Sequence, residues 1–229
     1  MSDSRAILLF VKAPQPGQVK TRLGKRIGDN LACDLYRCFG LDLYQTLQAV
    51  QVPILVFYAP AHQAPQIRAW LTCDRLFYQG EGDLGQRMQR AFECGFALGY
   101  KQLLILGSDS PDVPLSMLQE AWRHLAQGRG VIGPSEDGGY YTLGFHRDGF
   151  RPEVFQNMTW STPRVYQETL KRLKAASVPV HQLPVWFDVD TASDLSAFIQ
   201  RNQGNPNVQL TLNLCAAHSL TPDTDFGPD

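Results

Sequence analysis

The chain has 229 residues, of which 44% are hydrophobic, and its formal net charge at pH 7 is −1. This length and apolar content predict one large domain with a substantial core. The near-zero charge excludes the strong overall field of proteins that bind nucleic acid or anionic membranes, so we expect neither as a partner.

Cysteine usage and hydropathy indicate the compartment. The five cysteines are scattered without a CxxC pair, and we interpret them as reduced, buried thiols. The first apolar run, ILLFV, is too short for a secretory signal. No stretch approaches the roughly 20 apolar residues of a membrane span. We therefore expect a cytoplasmic protein without a membrane span, and the sequence does not indicate its oligomeric state.

Short apolar runs alternate with segments of helical spacing. The predicted strands cover residues 7–11, 53–58, 75–78, 103–106, 140–145 and 178–183. The predicted helices cover residues 31–50, 84–98 and 163–174 and two stretches that begin at Pro114 and Thr191. Thr191 and Asp194 have the spacing of a capping box. Apolar strands that alternate with helices favour an α/β fold with a mostly parallel sheet covered on both faces.

The periodic pattern weakens beyond residue 202. We predict a single domain over residues 1–202 and a C-terminal extension over residues 203–229. Within the extension, the segment VQLTLNL alternates and predicts an edge strand. The last residues, PDTDFGPD, are typical of a flexible tail.

A cationic segment follows the first predicted strand. Residues 4–28 contain no acidic residue but six basic ones, namely Arg5, Lys12, Lys20, Arg22, Lys25 and Arg26. In KAPQPGQVKTRL, residues 12–23, a strand-to-helix loop would offer free backbone N–H groups, and Gly17 would permit close approach. Lysine and arginine would pair with phosphate oxygens. The segment matches neither the P-loop nor GxGxxG, and a solvated basic loop is an equal alternative on these residues alone.

Asp109 follows the strand predicted at residues 103–106, within LLILGSDSPDVP. A carboxylate at the carboxyl end of a buried strand is well placed to bind Mg²⁺ or Mn²⁺. Capping of the helix that begins at Pro114 suits Asp112 better than Asp109. We therefore interpret Asp109 as a metal ligand and Asp112 as a helix cap.

Three more acids lie in VWFDVDTASDL, residues 185–195. The helix dipole and the cap explain Asp194 fully, but they explain Asp190 only in part and Asp188 hardly at all. If Asp190 lay beside Asp109, the two carboxylates could share one divalent cation and leave its other positions to phosphate and water.

The segment GPSEDGGYYTLGF, residues 133–145, supplies candidate substrate contacts. Glu136 and Asp137 could accept hydrogen bonds from ligand hydroxyls. Gly138 and Gly139 would let a flat ligand or a sugar approach closely. A plain turn is equally compatible with these residues.

Two further features bear on ligand binding. In GDLGQRM, residues 82–88, Asp83 is predicted to cap a helix, and Arg87 lies either on an exposed face or toward phosphate. No histidine has a partner at metal-ligand spacing in the sequence, so we interpret all five as surface or structural residues: His62, His124, His146, His181 and His218.

Together these motifs, in this order, resemble a known family. KAPxPGxVKTRL, GSDSPDVP, EDGGYY, WSTP and FDVDTASDL are similar to the DUF2064 group, also called glycosyltransferase-A-like or selenodomain-associated transferases. That group is related to the nucleotide-diphospho-sugar transferase superfamily, which includes guanylyltransferases and sugar-nucleotide synthases. The resemblance covers roughly residues 5–200.

The resemblance implies a three-layer α/β/α fold of the glycosyltransferase-A-like type that binds a nucleotide. By its motifs, Gly17, Lys20 and Arg22 match the phosphate-handling loop, with Lys12 at its start. Asp109 and Asp190 match the two metal-binding aspartates. The first loop departs from the family relatives of the molybdenum-cofactor type, which begin with a glycine-rich LAGG-like segment where this chain has VKAPQPG.

Two reactions fit this set of residues, with Lys20, Arg22 and Asp109 as the catalytic candidates. In nucleotidyl transfer from an NTP to a small phosphorylated acceptor, the cations would neutralise charge that develops at the phosphates. In glycosyl transfer from a nucleotide-diphospho-sugar, Glu136 or Asp137 would be the base. A nucleotide-binding protein without turnover is a third reading. Mg²⁺ or Mn²⁺ is the expected cofactor, and a nucleotide and a small-molecule acceptor are the expected partners.

Overall fold

A computed structural model of the protein describes residues 4–226. Its strands are β1 (Arg5–Lys12), β2 (Ile54–Ala59), β3 (Leu76–Tyr78), β4 (Gln102–Gly107), β5 (Gly130–Pro134), β6 (Tyr140–His146) and β7 (Val180–Gln182). Its α-helices are α1 (Thr21–Ile27), α2 (Asp29–Gln48), α3 (Ala64–Leu71), α4 (Leu84–Ala97), α5 (Leu115–Leu125), α6 (Val165–Ala175), α7 (Ala192–Arg201) and α8 (Gln209–Ala217).

All seven strands form one sheet in the order β3-β2-β1-β4-β6-β5-β7. Within residues 4–226, β6 alone runs antiparallel to its neighbours, so the predicted, mostly parallel sheet is confirmed. The strand order reverses between β1 and β4, which are adjacent in the sheet. In open α/β sheets this is the point where ligands bind, at the carboxyl ends of the strands.

Helices cover both faces of the sheet. Along β1, alternate residues from Ile7 to Val11 pack into one apolar core with helices α2, α3 and α5. The intervening residues, from Ala6 to Phe10, pack into a second core with α4 and α6. This alternation follows from the two-residue period of a strand and confirms the three-layer α/β/α architecture. None of the helices described in residues 4–226 has the length and apolarity needed to cross a membrane.

The edge strand predicted for VQLTLNL is wrong, because those residues belong to a short 3₁₀ turn and to helix α8. Thr211 and Cys215, one helical turn apart, are buried against the core that α1, α2 and α7 share. Asp42 of α2 accepts hydrogen bonds from the Thr211 backbone N (2.9 Å) and Oγ1 (2.7 Å). These contacts with α2 outweigh the weak alternation of the sequence. The predicted tail, residues 222–229, lies partly outside the described residues, and the domain boundary at residue 202 stays a prediction.

Candidate active site

A cavity of about 470 Å³ opens at the carboxyl ends of β1 and β4. Phe10 and Val11 of β1 and Ile105 and Leu106 of β4 contribute apolar wall. The predicted site residues on its wall are Lys12, Lys20, Arg22, Arg87, Asp109 and Asp190. The topological switch point of the sheet therefore carries both the cationic segment and the two candidate metal ligands.

Lys20 lies at the centre of this polar cluster. It occupies the residue before α1 in the left-handed backbone region, with φ 48° and ψ 42°. Its side chain is only 2% exposed, and its Nζ donates hydrogen bonds to Oδ1 of Asp109 and, at 2.7 Å, to Oδ1 of Asp190. Those two carboxylates are 50% and 46% exposed. The ammonium group thus lies beneath them, and the carboxylates remain open to a ligand.

The contacts among Lys20, Asp109 and Asp190 determine the protonation states of the cluster. Burial by itself would lower the pKa of Lys20, but the charges of Asp109 and Asp190 and the hydrogen bonds to them raise it above its usual value. Burial would raise the pKa of Asp109, whereas the Lys20 charge and hydrogen bond, with help from Lys12, hold it below its usual value. At neutral pH, Lys20 is therefore protonated and Asp109 is ionised.

Asp188 adds a third carboxyl group next to the pair. The Oγ of Ser110 donates a hydrogen bond to its Oδ1. Burial raises the pKa of Asp188 to about 7, and the charges of Asp109 and Asp190 act in the same direction, against the Ser110 hydrogen bond and Lys20. Asp188 is thus partly protonated near neutral pH and can bind or release a proton beside the cluster.

Local hydrogen bonds hold the two acidic segments together. The backbone N–H of Val189 donates to the carbonyl of Asp109 at 2.9 Å. Asp194 accepts from the backbone N–H of Asp190 (3.0 Å) and of Thr191 (2.8 Å), and its own N–H donates to the Thr191 hydroxyl (3.2 Å). The predicted capping box at α7 is therefore confirmed, and it also fixes the backbone of Asp190.

Tyr36 and Ser108, which sequence reasoning did not single out, brace the same end of the sheet. The Tyr36 Oη lies 2.8 Å from the Ser108 Oγ and accepts from the Lys12 backbone N–H at 2.9 Å. Burial, followed by the charge of Asp109, raises the pKa of Tyr36 to about 12, so its hydroxyl stays neutral. Helix α2 is thereby tied to the ends of both β1 and β4.

Gly17 is not part of the described cavity wall, although Gln18 next to it is. Its φ of 73° lies in the left-handed region that glycine adopts without strain. A Cβ at this position would lie 3.3 Å from a carboxylate oxygen of Asp29. The structure therefore shows Gly17 as a turn residue, and its contact with phosphate stays a prediction.

Glu136, Asp137, Gly138 and Gly139 are also absent from the described cavity wall, whereas the residues that follow, Tyr140–Thr142, form part of it. Asp137 Oδ1 accepts from the Ser135 hydroxyl (2.6 Å) and the Gly139 N–H (2.9 Å).

Gly138 has a φ of 88°, and a Cβ there would lie 2.3 Å from the carbonyl oxygen of Pro163. The glycine pair thus forms a turn packed on the WSTP segment, which is the plainer of the two sequence readings. Contact with substrate at these four residues stays a prediction.

Arg87 borders the cavity from the first turns of α4. Asp83 caps that helix through a reciprocal pair of hydrogen bonds with Gln86, which confirms its predicted role. The Nε of Arg87 donates to the Gly82 carbonyl at 3.0 Å, and its guanidinium remains available for further contacts.

The interpretation of Asp112 as a helix cap is wrong. Pro114 precedes α5, and no side chain caps that helix. Asp112 is instead 1% exposed and accepts hydrogen bonds from Arg201 Nε (2.6 Å), Asn202 Nδ2 (2.6 Å) and Trp186 Nε1 (3.1 Å). An ion pair with the end of α7 takes precedence over a cap, because a buried carboxylate needs a cation and full hydrogen bonding.

The interpretation of the five histidines as surface or structural residues stays a prediction, but two of them lie together. The imidazole rings of His124 and His181 stack at a centroid distance of 3.5 Å, beside Glu120. Spacing along the chain did not reveal this cluster, since His181 comes from a distant strand. The Glu120–His124 separation of one helical turn was the only signal in the sequence.

The oxygen donors at the cavity suit a hard divalent cation. Asp109 and Asp190 each place an oxygen on the same Lys20 nitrogen, so they are close enough to share a cation. Both carboxylates are about half exposed, and Asp188 is adjacent. Carboxylate oxygens of this kind are the ligands that Mg²⁺ and Mn²⁺ prefer.

The chain is similar to known proteins in sequence and in fold. The sequence model of DUF2064, described as an uncharacterized protein conserved in bacteria, matches residues 42–162. A crystal structure from Desulfovibrio desulfuricans G20, described as a "putative nucleotide-diphospho-sugar transferase", is 38% identical with a TM-score of 0.91, and the match covers 96% of each chain. No curated protein matches the chain.

More distant structures share the fold alone. The inositol-1-phosphate CTP transferase of T. maritima has a TM-score of 0.54 at 12% identity, over 94% of this chain and 97% of that one. The manganese complex of Rv0371C from Mycobacterium tuberculosis H37Rv has a TM-score of 0.53 at 15% identity, over 86% and 98%.

Proposed function

The chain belongs to the DUF2064 family, and from this premise we propose that it is a metal-dependent, nucleotide-binding transferase that moves a nucleotidyl group from an NTP to a small phosphorylated acceptor. The comparisons confirm the predicted family, fold and enzyme class, that of a transferase. The observation that carries the proposed reaction is the cluster of Lys20, Asp109 and Asp190 in the cavity where the strand order reverses.

The cations around the cavity support binding of a phosphate chain. Lys12, Lys20, Arg22 and Arg87 all border it, and they come from the end of β1, the start of α1 and the start of α4. Positive groups on several sides would stabilise the negative charge that develops on phosphoryl oxygens during transfer. Since Lys12 and Arg22 are exposed, they can reach a ligand without first being released from a buried contact.

Asp109 and Asp190 would hold Mg²⁺ or Mn²⁺, with Asp188 as an additional oxygen donor. When bound, such an ion would neutralise phosphate charge and orient the phosphates. The Lys20 ammonium can form ion pairs either with the two carboxylates, as it does in this structure, or with phosphate oxygens. We propose that Lys20 holds the two carboxylates in place and neutralises them until a nucleotide arrives with its own cation.

Glycosyl transfer is the second candidate, because the 38% identical relative is described as a nucleotide-diphospho-sugar transferase. The same cluster would then stabilise a nucleoside diphosphate as it leaves the sugar. Neither Glu136 nor Asp137, the predicted bases, borders the described cavity, which makes nucleotidyl transfer the better-supported reaction. Nucleotide binding without turnover is the remaining reading.

Calorimetric titration with the four NTPs and with UDP- and GDP-sugars, each with and without Mg²⁺, tests the proposal. We expect NTP binding that depends on Mg²⁺ and weakens at least tenfold in Asp109→Asn, followed by pyrophosphate release with a phosphorylated acceptor. Asp34→Asn is the matched control, since Asp34 is equally exposed at 50% and is paired with Arg37 outside the cavity wall.

Turnover of a nucleotide-sugar without pyrophosphate release would favour the second candidate. Tight NTP binding without turnover in an acceptor screen would favour the third candidate, a nucleotide-binding protein that is not an enzyme. If neither ligand class bound, or if Asp109→Asn behaved like Asp34→Asn, the site assignment would be wrong.

A further inference from the structure

A second cluster of potential metal ligands lies between helix α5 and strand β7. Glu120 and His124 are one turn apart on α5, and His181 is the middle residue of β7. We propose that Glu120, His124 and His181 form a site for a borderline-soft divalent ion such as Zn²⁺, separate from the cavity that holds Asp109. None of the three belongs to the described wall of that cavity.

The three side chains are already close together. The Nε2 of His181 lies 2.7 Å from Oε1 of Glu120, and the two imidazole rings are stacked with an interplanar angle of 13°. One donor atom from each residue lies within 4.8 Å of the other two. In a tetrahedral zinc site with bonds of about 2.0 to 2.2 Å, ligand atoms are about 3.3 Å apart. Because a metal lies in the plane of each imidazole that binds it, one of the two stacked rings must turn out of the stack to bring the donors to that spacing.

His124 supplies the second observation that points to a ligand. Its Nδ1 is buried and has no hydrogen-bond partner among the described residues. A buried polar atom without a partner is costly, and a metal ion would satisfy it.

The donor set indicates the class of ion. Two imidazoles and one carboxylate suit zinc and its neighbours in the first transition series, whereas Mg²⁺ prefers oxygen ligands alone. The side chains of Glu120 and His181 are 30% and 24% exposed, so an ion can enter from solvent and a water can complete its coordination. Arg123 and Arg129 act on His124 as positive charges and would moderate the affinity.

Binding at this site would reinforce the link that the His181–Glu120 contact already makes between β7 and α5. β7 is the edge strand of the sheet, paired only with β5 among the described strands, and α5 covers the neighbouring face. A metal bridge would hold this edge strand to the helix. We therefore expect the ion to stabilise the fold and to leave nucleotide transfer unchanged.

Zinc alone is the probe for the test. The full chain, without a histidine tag and stripped with chelator, would be titrated with Zn²⁺ against a chromophoric chelator, in excess Mg²⁺ so that the Asp109 site is not scored. Glu120→Gln, His124→Gln and His181→Gln are the test variants, and His62→Gln, which removes an exposed histidine elsewhere, is the matched control. Melting temperatures without metal show whether each variant folds.

We expect one zinc ion per chain, bound at least tenfold more weakly by each of the three variants and equally by His62→Gln. Co²⁺ should give the absorption bands of a tetrahedral complex, and zinc should raise the melting temperature of the wild type but not of Glu120→Gln. Absence of stoichiometric zinc binding, or wild-type affinity in any folded variant of the three, would overturn the proposed site.

Discussion

Asp109 and Asp112 share one loop after β4 but have opposite environments. Asp109 is half exposed and contacts the buried ammonium group of Lys20 beneath it, with its remaining surface in the cavity. Asp112 is 1% exposed, and all the partners identified for it come from the far end of the chain: Trp186, Arg201 and Asn202. One acid therefore remains available to a ligand, and the other anchors the loop that presents it.

This difference shows how a single loop can be both rigid and reactive. The Asp112 ion pair joins the loop after β4 to the end of α7, and the Val189–Asp109 backbone bond joins it to the segment before α7. Both contacts keep Asp109 and Asp190 at a fixed separation without using their carboxylate oxygens. The proposed binding of a cation and a phosphate chain would require such preorganisation.

Removal of the anchoring acid should have the largest effect. Asp112→Ala leaves Arg201 and Asn202 without their partner, so we expect a loss of about 3 to 5 kcal/mol in the free energy of unfolding. Denaturant titration measures it. Asp109→Ala in the same loop is the comparison and should lose clearly less, since Lys20 keeps Asp190. Equal losses of unfolding free energy in the two variants would contradict the view that Asp112 anchors the loop and Asp109 does not.

Substitution of Asp109, the acid that faces the cavity, should lower activity but leave stability nearly unchanged. Asp109→Asn should lower transfer by about two to three orders of magnitude, equivalent to about 3 to 4 kcal/mol, because it removes a charge that holds the cation and Lys20. Its free energy of unfolding should change little. The assay is pyrophosphate release under saturating Mg²⁺. Near-wild-type rates in a folded Asp109→Asn protein would contradict the proposed role.

Asp188 should contribute less to the free energy of unfolding than Asp112 does, and its contribution should depend on pH. Its pKa rises from 3.8 to about 7 on folding, so between these values the folded protein keeps a proton that the unfolded chain has released. Raising the pH through this window should lower the free energy of unfolding, on the order of 2 kcal/mol after allowance for solvent contact. In metal-free protein, Asp188→Asn should flatten this decline, and the exposed control Asp148→Asn should not. If the free energy of unfolding of Asp188→Asn declined with pH as steeply as that of the wild type, the raised pKa of Asp188 would be contradicted.

The smallest effect is expected at an acid that holds only its own turn. Asp137→Ala removes hydrogen bonds to Ser135 and Gly139 at an exposed position, and we expect a loss of about 1 kcal/mol in the free energy of unfolding. Nucleotide affinity should remain within twofold of wild type, measured by the same calorimetry. A large loss of activity with normal affinity would instead favour Asp137 as a base and hence glycosyl transfer.

The sequence predicted the parts of the fold that local patterns encode. Apolar runs located β1 to β4, and the helical period located α2 and α4. Because parallel strands end at the same edge of a sheet, Asp109 after β4 and the cationic segment after β1 could be placed by sequence at the edge where ligands bind. The Thr191–Asp194 capping box likewise depends on residues three apart, which sequence reasoning can read directly.

Features that depend on tertiary contacts were not predictable in this way. β5 is five residues that begin with Gly130 and end with Pro134, which hide its strand character. In the sequence Asp112 resembles a helix cap, because its partner Arg201 is distant along the chain and only the fold brings the two together. The Tyr36–Ser108 bond and the stack of His124 on His181 join residues from separate elements, so neither leaves a periodic signal along the chain.

The backbone bond from Val189 to Asp109 has a consequence for the order of events during synthesis. Lys20 and Asp109 leave the ribosome long before Asp190 does, so a nascent chain that ends before Asp190 has Lys20 paired with one carboxylate and lacks half of the proposed cation site. Domains of this size fold as units, and here the unit is complete only when α7 and α8 have emerged. If the proposed function holds, a translation product truncated before Asp190 should therefore bind nucleotide and Mg²⁺ more weakly than the whole chain.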